Sequence, residues 1–590
     1  MKLSEVINRI SRWRVKYIQQ RQFLLILSAV VGLAVGFAAV IIKNLVHFIK
    51  ELLTVGLAGN FQNYLYFIFP AAGILLTILF IRYINRRPVR HGIPSVLFAI
   101  SKNRGIIRRH NLYSSIITSG LTVGFGGSVG LEGPTVATGA AIGSNIGKVL
   151  RLSYKEIILL VGCASAGAMS AIFKAPIAAI VFALEVIMLD LTVWSMIPLL
   201  IASATAALTS YFFQGQNVLY SFDLKDPFVL GDIHYFVLLG IFTGFISVYF
   251  TRIYNFISGW FENINNPYKK LLMAGGILGI IIFFIPSLYG EGYEEINQGL
   301  HGNVSYLFEN TIYHSLAGNT WMILLFLLVI ILFKGIATTL TFAAGGIGGI
   351  FAPSLFTGVN AGLFFAILAN QLGADISLSN FALVGMAGLI AGVIHAPLTA
   401  IFLIAELTGG HELFMPLMIA STISYATVRI FEKNSVYTVQ LAQRGELMTH
   451  HKDRNILLMM NVTELIEKNF NKVKPDDSLG DLVKTIKKSK RNIFPVVDEE
   501  GYFRGIVKLD DIRHIMFETD LYDKTYVRDL AFDPQYTINI NEPMEEVAQK
   551  FHDSGRYNIA VLREGKYLGF VSRAKVFSSY RERLKQFSDE

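Results

Sequence analysis

Long apolar runs dominate the first 440 residues. They fall at 23–46 and 64–84, then near 112–126, 157–186, 194–213, 234–257, 270–286, 321–343, 351–371, 380–407 and 413–431. Several reach the roughly 20 residues that a helix needs to cross a bilayer. The pattern predicts a polytopic membrane region. Glycine and proline interrupt it at two places: Gly124-Phe-Gly-Gly-Ser-Val-Gly-Leu-Glu-Gly-Pro134 and Ala344-Gly-Gly-Ile-Gly-Gly-Ile-Phe-Ala-Pro353. Breaks of this kind persist in a membrane only where the freed backbone is buried in protein or lines a wet cavity. After about residue 440 the period changes. Residues 473–516 predict a helix at 479–489, a strand at 492–498, a Glu500-Gly501 turn, a strand at 503–508 and a closing helix. Residues 537–579 repeat that order, with a helix at 544–554 and strands at 558–562 and 567–572 around Glu564-Gly565. The tail therefore reads as a duplicated β-α-β-β-α module.

Composition sharpens the division. The chain has 590 residues, 53% hydrophobic and 16% charged, where a soluble protein has about 25% charged. Of its 52 Lys and Arg and 43 Asp and Glu, 50 lie in residues 441–590. A membrane region is joined to a soluble one near residue 440. The apolar content excludes disorder for most of the chain. Cys163 is the only cysteine, which excludes an intrachain disulfide or thiolate cluster.

The net charge of +9 invites a nucleic-acid reading, but its distribution argues against that partner. Lys2, Arg9, Arg12, Arg14, Lys16 and Arg21 crowd residues 1–22, and the stretch 82–109 holds eight Lys and Arg with no acid. Basic residues beside apolar spans mark the cytoplasmic side. The expected organisation is a basic cytoplasmic N-terminus (1–22), two membrane halves (23–220 and 221–440) and a soluble tail (441–590), in a cell membrane. The run from residue 23 is too long for a signal peptide.

The two halves are related by duplication. Gly130, Pro134, Gly139 and Gly143 match Gly349, Pro353, Gly358 and Gly362 at an offset of 219. Residues 167–185, ending Phe-Lys-Ala-Pro-Ile-Ala-Ala-Ile-Val-Phe-Ala-Leu-Glu, align with 388–406, ending Ile-His-Ala-Pro-Leu-Thr-Ala-Ile-Phe-Leu-Ile-Ala-Glu, at an offset of 221. Broken helices at corresponding places in two halves point to a midplane site at the repeat interface. Sequence leaves open whether the repeats are parallel or inverted.

A helix N-terminus presents unpaired N–H groups and about half a positive charge, and binds anions without a cationic side chain. Gly92-Ile93-Pro94, Gly133-Pro134 and Ala352-Pro353 each place proline near a helix start, where it is favoured. Taken singly, these glycines and prolines fit close helix packing. Together, at duplicated positions, they predict a dry anion site. Glu132 is a carboxylate in an apolar span and therefore a functional candidate. It would compete with an anion for the same helix start, as a protonatable plug. Glu185 and Glu406 occupy equivalent repeat positions, which favours one architectural purpose such as satisfying a helix end. His91 and His395 are titratable near pH 7, with an interfacial role the simpler reading. Lys174 reads as a side chain that reaches the surface.

These residues resemble the ClC family of chloride channels and proton/chloride exchangers. Arg90-His-Gly-Ile-Pro94 resembles the family's GSGIP element, Gly130-Leu-Glu-Gly-Pro134 its GKEGP or GREGP element, and Gly349-Ile-Phe-Ala-Pro353 its GxFxP element. The Phe-Lys-Ala-Pro segment at 173–176 and Gly290-Glu-Gly-Tyr293 fit as well. The resemblance covers about residues 15–442. The tail resembles a pair of cystathionine-β-synthase (CBS) domains, at about 459–517 and 527–585. The resemblance implies an all-α polytopic membrane fold of two inverted repeats with a cytoplasmic α/β CBS tail, a homodimer with one pore per subunit, chloride as the permeant ion and no required cofactor. It implies that Glu132 is the external gate. It also implies an anion path lined by His91, Gly92, Ile93, Gly130, Gly133, Gly349, Ile350, Phe351 and Tyr437, with the amides of Ile350 and Phe351 and the Tyr437 hydroxyl at the central ion.

Two departures from the family pattern bear on function. His91 stands where the family has a serine, which puts chloride selectivity over nitrate in question. Val186 stands where exchangers carry an internal proton-handling glutamate; Glu185 is one residue early, and one helical residue turns a side chain by about 100°. The sequence therefore reads as a gated channel, with a proton-coupled exchanger as runner-up. In the tail, Gly505 leads to Asp511 but has Lys508 at the expected hydroxyl position, and Gly569 leads to Ser572 but has Lys575 at the acidic one. Asp511 and Ser572 are the candidate adenine-nucleotide contacts, in competition with a purely dimerising role. A divalent-cation transporter, which also can carry CBS pairs, would need clustered membrane acids that this region lacks. An enzyme would need a nucleophile–base pair or metal ligands, and the tail has neither.

Overall fold

The computed structural model of the chain describes residues 17–53, 67–89, 92–187, 193–215, 228–308, 318–408, 411–443, 457 and 460–588. It divides into two compact units, Met1–Leu447 and Met448–Glu590. The expected boundary between the membrane halves, at 220/221, lies outside the described residues, as does His91.

The first unit is helical. In chain order its helices are α1 Gln20–Glu51, α2 Phe69–Leu79, α3 Gly92–Lys102, α4 Asn111–Gly124, α5 Glu132–Val149, α6 Tyr154–Phe173, α7 Pro176–Glu185 and α8 Val193–Gln214. The second half continues with α9 Ile233–Glu262, α10 Pro267–Phe284, α11 Tyr293–Leu300, α12 Thr320–Ala343, α13 Phe351–Gln371, α14 Leu378–Ile394, α15 Pro397–Thr408, α16 Phe414–Phe431 and α17 Val439–Gln443. Among the described residues, 8 helices are long and apolar enough to cross a membrane.

The runs at 157–186 and 380–407, expected as single spans, are each two helices. Helix α6 ends at Lys174 (φ 57°) and α14 at His395 (φ 61°), both left-handed. A left-handed residue closes a helix. The next residue but one, Pro176 or Pro397, cannot accept the old helix's ladder but suits the first turn of a new one. The two helices also begin alike. Ser153 forms a capping box with Glu156, and Ser377 accepts the Asn380 N–H at 3.4 Å.

Duplicated glycines set the spacing of two helix pairs. A methyl group on Gly143 would lie 2.5 Å from the Leu160 carbonyl oxygen, and one on Gly362 would lie 2.0 Å from that of Phe381. Backbones can approach so closely only without a Cβ. Gly139 and Gly358 behave in the same way, at 2.8 Å from the Ala164 carbonyl oxygen and 2.6 Å from Met386 Cα. The packing role therefore belongs to these four glycines.

The second unit contains β1 Ile493–Val497 paired antiparallel with β2 Phe503–Lys508, and a sheet of order β3 (Ile538–Asn539), β4 (Asn558–Arg563), β5 (Lys566–Ser572). Helices α18 Leu479–Lys488 and α19 Met544–Ser554 precede the two hairpins, and α20 Arg573–Ser588 follows. The leading strand of the first half is reduced to one parallel bridge, Val473 with Val496. The halves join through Phe503 N–H to the Gly565 carbonyl and Tyr567 N–H to the Gly501 carbonyl, both 3.0 Å. Phe470, Val497, Ile506, Ala560, Tyr567 and Phe570 form the apolar core between them.

Candidate functional site

Three helix starts meet in the first unit. A methyl group on Gly92, the first residue of α3, would lie 2.6 Å from Gly133 Cα, and one on Gly133 would lie 3.2 Å from Gly349 Cα. The starts of α3, α5 and α13 are thus in backbone contact, and Ile93, Ile350 and Phe351 beside them are buried. The first N–H groups of each helix have no acceptor within it.

The two breaks bind each other. Gly130 N–H donates to the Gly349 carbonyl at 2.8 Å, and Gly349 N–H returns the bond to Gly130 at 2.7 Å. Ser128 N–H donates to Thr341 Oγ1 at 3.2 Å, and Ile347 N–H donates to Thr122 Oγ1 at 3.1 Å. Each pair is related by the 219-residue offset. Contacts in which i meets j and j's counterpart meets i's counterpart are the mark of a twofold relation, so the halves face each other across a pseudo-twofold axis.

Glu132 is the first residue of α5 and has no exposed surface. Its Oε1 accepts the Tyr293 hydroxyl at 2.5 Å. Its Oε2 makes no hydrogen bond among the described residues. A methyl group on Gly130 would lie 2.1 Å from that oxygen and one on Gly349 3.4 Å, so the carboxylate is wedged between the two breaks. The N–H groups of Glu132 and Ala352 act on it. Glu132 therefore stands where helix N-termini would otherwise receive an anion. Tyr437 is buried, its hydroxyl has no partner among the described residues, and it lies within electrostatic reach of Glu132.

The other expected residues resolve individually. Glu185, at the end of α7, accepts the Leu398 N–H (3.2 Å), the Thr399 N–H (2.8 Å) and the Thr399 hydroxyl (2.8 Å). Glu406, in α15, accepts the Ile177 and Ala178 N–H groups at 3.2 and 2.9 Å. Each acid caps the start of the other half's short helix. Val186 is buried at the C-terminal cap of α7. Lys174 donates to the Gly215 carbonyl at 2.7 Å. His395 packs edge-on to Tyr425, and its Nε2 has no partner among the described residues. In the tail, the Ser572 hydroxyl donates to Glu467, while Asp511 is exposed.

Three groups near Glu132 were not singled out from sequence. Glu291 Oε1 accepts the N–H of Leu131, the residue before Glu132, at 3.2 Å. Lys43 donates to the Ile172 carbonyl at 2.7 Å. Lys334 is wholly buried in α12 and donates to the Gly290 and Leu288 carbonyls at 3.1 and 3.5 Å. The signal for both lysines was available: a lone charge inside an apolar run is costly and needs a partner.

Comparison with known proteins agrees with this architecture. Residues 72–429 match the family model "Voltage gated chloride channel", and residues 462–518 and 527–582 each match the CBS domain. The "Putative chloride channel protein ClcB-like" of Ralstonia nicotianae is 30% identical over 385 residues, 64% of this chain and 85% of that protein. The "H(+)/Cl(-) exchange transporter ClcA" of Vibrio cholerae is 28% identical over 437 residues, 71% of this chain and 89% of that protein. The crystal structure of a slow cyanobacterial Cl−/H+ antiporter superposes with a TM-score of 0.61 at 20% identity, over 72% of this chain and 98% of that one. With the family model matched over more than half of its length, this multi-pass membrane protein belongs to the ClC family of voltage-gated chloride channels, and it carries a C-terminal CBS pair.

Proposed function

We propose that the protein carries chloride across a cell membrane through a path gated by the Glu132 side chain. One observation carries this reading: a buried carboxylate occupies the meeting point of the α5 and α13 starts, where the field of the helices favours an anion. In this reading the ion and the carboxylate are alternatives. Protonation of Glu132, or displacement by an entering anion, frees the site. Gly92, Ile93, Gly130, Gly133, Gly349, Ile350 and Phe351 supply backbone to the ion, and the unpartnered Tyr437 hydroxyl supplies a donor on its far side. His91 extends the path.

Channel-like conduction is favoured by two features. Val186 offers no proton carrier, and Glu185 beside it is committed to the α15 start. Proton-coupled exchange is the second reading, favoured by the likeness to a protein named as an H+/Cl− exchanger. The assembly in this proposal is a homodimer with the N-terminus and tail in the cytoplasm. The CBS pair serves dimerisation first, because the Ser572 hydroxyl is already bonded to Glu467. Adenine nucleotide at Asp511 and Ser572 is the finer alternative.

The test is the reversal potential of the purified protein in liposomes under a chloride gradient, with and without a pH gradient. A potential fixed at the chloride equilibrium value supports the channel. A potential that moves with the pH gradient supports the exchanger. Glu132→Gln removes the titratable group and should abolish the response of flux to external pH. A variant that keeps that response removes Glu132 from the gate.

A further inference from the structure

Tyr293 lies in the second half of the chain and Glu132 in the first, and they share a hydrogen bond of 2.5 Å between Oη and Oε1. Tyr293 is the only side-chain donor to this carboxylate among the described residues. The segment before it is built to hold that position. Gly290 and Gly292 have φ of 69° and 87°, which bend the backbone sharply. Gly290 N–H donates to the Gly126 carbonyl at 3.0 Å, within the first break. Gly292 lies so close to Phe356 that a methyl group would meet its ring at 2.5 Å.

The segment is also tied from both sides. Ser128, in the first break, donates to the Leu288 carbonyl at 2.7 Å, and Glu291 accepts the Leu131 N–H at 3.2 Å. From α12, Lys334 grips the Leu288 and Gly290 carbonyls, and its ammonium lies 4.6 Å from the centre of the Phe356 ring. A wholly buried ammonium is expensive unless its donors are used. Its placement makes sense as a fastening for this loop. The loop, in turn, presents one hydroxyl to one carboxylate oxygen.

We propose that Tyr293 is a positioning residue that latches Glu132 in its blocking place, with Lys334 anchoring the loop that carries the latch. The proposal rests on the reading of Glu132 as the gate. The hydroxyl holds the ionised carboxylate more strongly than the protonated one, because a hydrogen bond to a charged acceptor is the stronger kind. Leaving the blocking place requires that bond to break. The remaining ionisable groups within electrostatic reach of Glu132 are Lys43 of α1, Glu291 of the loop and Tyr437. Helix α13 carries no ionisable residue, and α3 carries only Lys102 at its far end.

The test is chloride flux against external pH for Tyr293→Phe, measured in liposomes in the wild-type and Glu132→Ala backgrounds. Phenylalanine keeps the ring and removes only the hydroxyl. Loss of one charge-assisted bond favours release of the gate by about tenfold. The pH of half-activation should therefore rise by about one unit, with higher flux at neutral pH. In the Glu132→Ala background the same change should do nothing. An unshifted midpoint overturns the latch. So does an equal change of flux in both backgrounds, because the hydroxyl would then act on the path rather than on the gate. If Glu132→Ala alone keeps the pH response, the gate reading itself fails and the latch fails with it.

Discussion

Glu185→Gln separates a structural acid from a proton carrier. The side chain accepts three hydrogen bonds at the start of α15, two from backbone N–H groups and one from the Thr399 hydroxyl. Glutamine keeps one acceptor oxygen and turns the other position into a donor facing donors. Loss of an N-terminal cap costs about 0.5–2 kcal/mol. The lost negative charge at a partly buried helix start adds up to about 2 kcal/mol. A total of about 0.5–4 kcal/mol is expected, read as a lower thermal unfolding midpoint in detergent. Glu406→Gln should cost somewhat less, since it breaks a two-bond cap rather than a three-bond one. The helices involved, α7 and α15, pack together, so the double variant should not be additive. Chloride and proton fluxes in liposomes supply the second readout, and their ratio should stay unchanged. A Glu185→Gln protein of full stability but altered proton-to-chloride ratio would refute the cap and make this acid part of a proton path.

Two further predictions use other regions. Val186→Glu places a carboxyl at the buried cap of α7, one residue beyond the committed Glu185; chloride-driven proton uptake should appear or strengthen, and its absence in a folded variant would leave this position outside any coupling route. In the tail, partial burial pushes the Asp498 carboxyl up, but the Tyr502 N–H and the Arg504 guanidinium outweigh it and hold the group below the usual aspartate range. A depressed value in the folded state stabilises above the unfolded pKa of about 3.9 and stops doing so as pH falls through the folded value. Hydrogen exchange of the β1–β2 hairpin should therefore quicken on acidification, and Asp498→Asn should flatten that dependence.

The breaks and the duplication were legible because backbone rules write them into local sequence; the split of the two long runs was written there too, in Ala-Pro after Lys174 and His395, but each run reads as one span. Proline two residues beyond a helix end marks a new start whatever surrounds it. The strands of the tail were legible to within a residue or so for the same reason: β2 and α19 coincide with the expected 503–508 and 544–554. Glycine was ambiguous. Its two uses, close packing at Gly143 and Gly362 and room for a carboxylate at Gly130, read identically in one dimension. The partners of Lys43, Lys334 and Tyr293 were not legible at all. Each bonds across more than 40 residues of sequence to a backbone or carboxyl group, and no local period encodes that.

The duplication explains how the meeting of helix starts exists, and one departure from it underlies the proposed gate. The offset of 219 maps Gly130 on Gly349, Pro134 on Pro353 and Glu132 on Phe351. Glu132 and Phe351 are the first residues of α5 and α13, so the axis brings two equivalent helix starts together and supplies their combined field for nothing more than backbone. Two identical starts would make a site with no preferred side. The equivalence is broken by a single acid. Its carboxylate lies between the breaks, and Lys43, Glu291 and Tyr293 gather around it, while the symmetry-related position is a buried phenyl ring. In the proposed gating, proton sensitivity would thereby be confined to one of two otherwise matched halves. The same axis makes the acids at 185 and 406 serve each other's half, each committed to a helix start. The acids that cap and the acid proposed to gate are told apart here by whether the twofold repeats them.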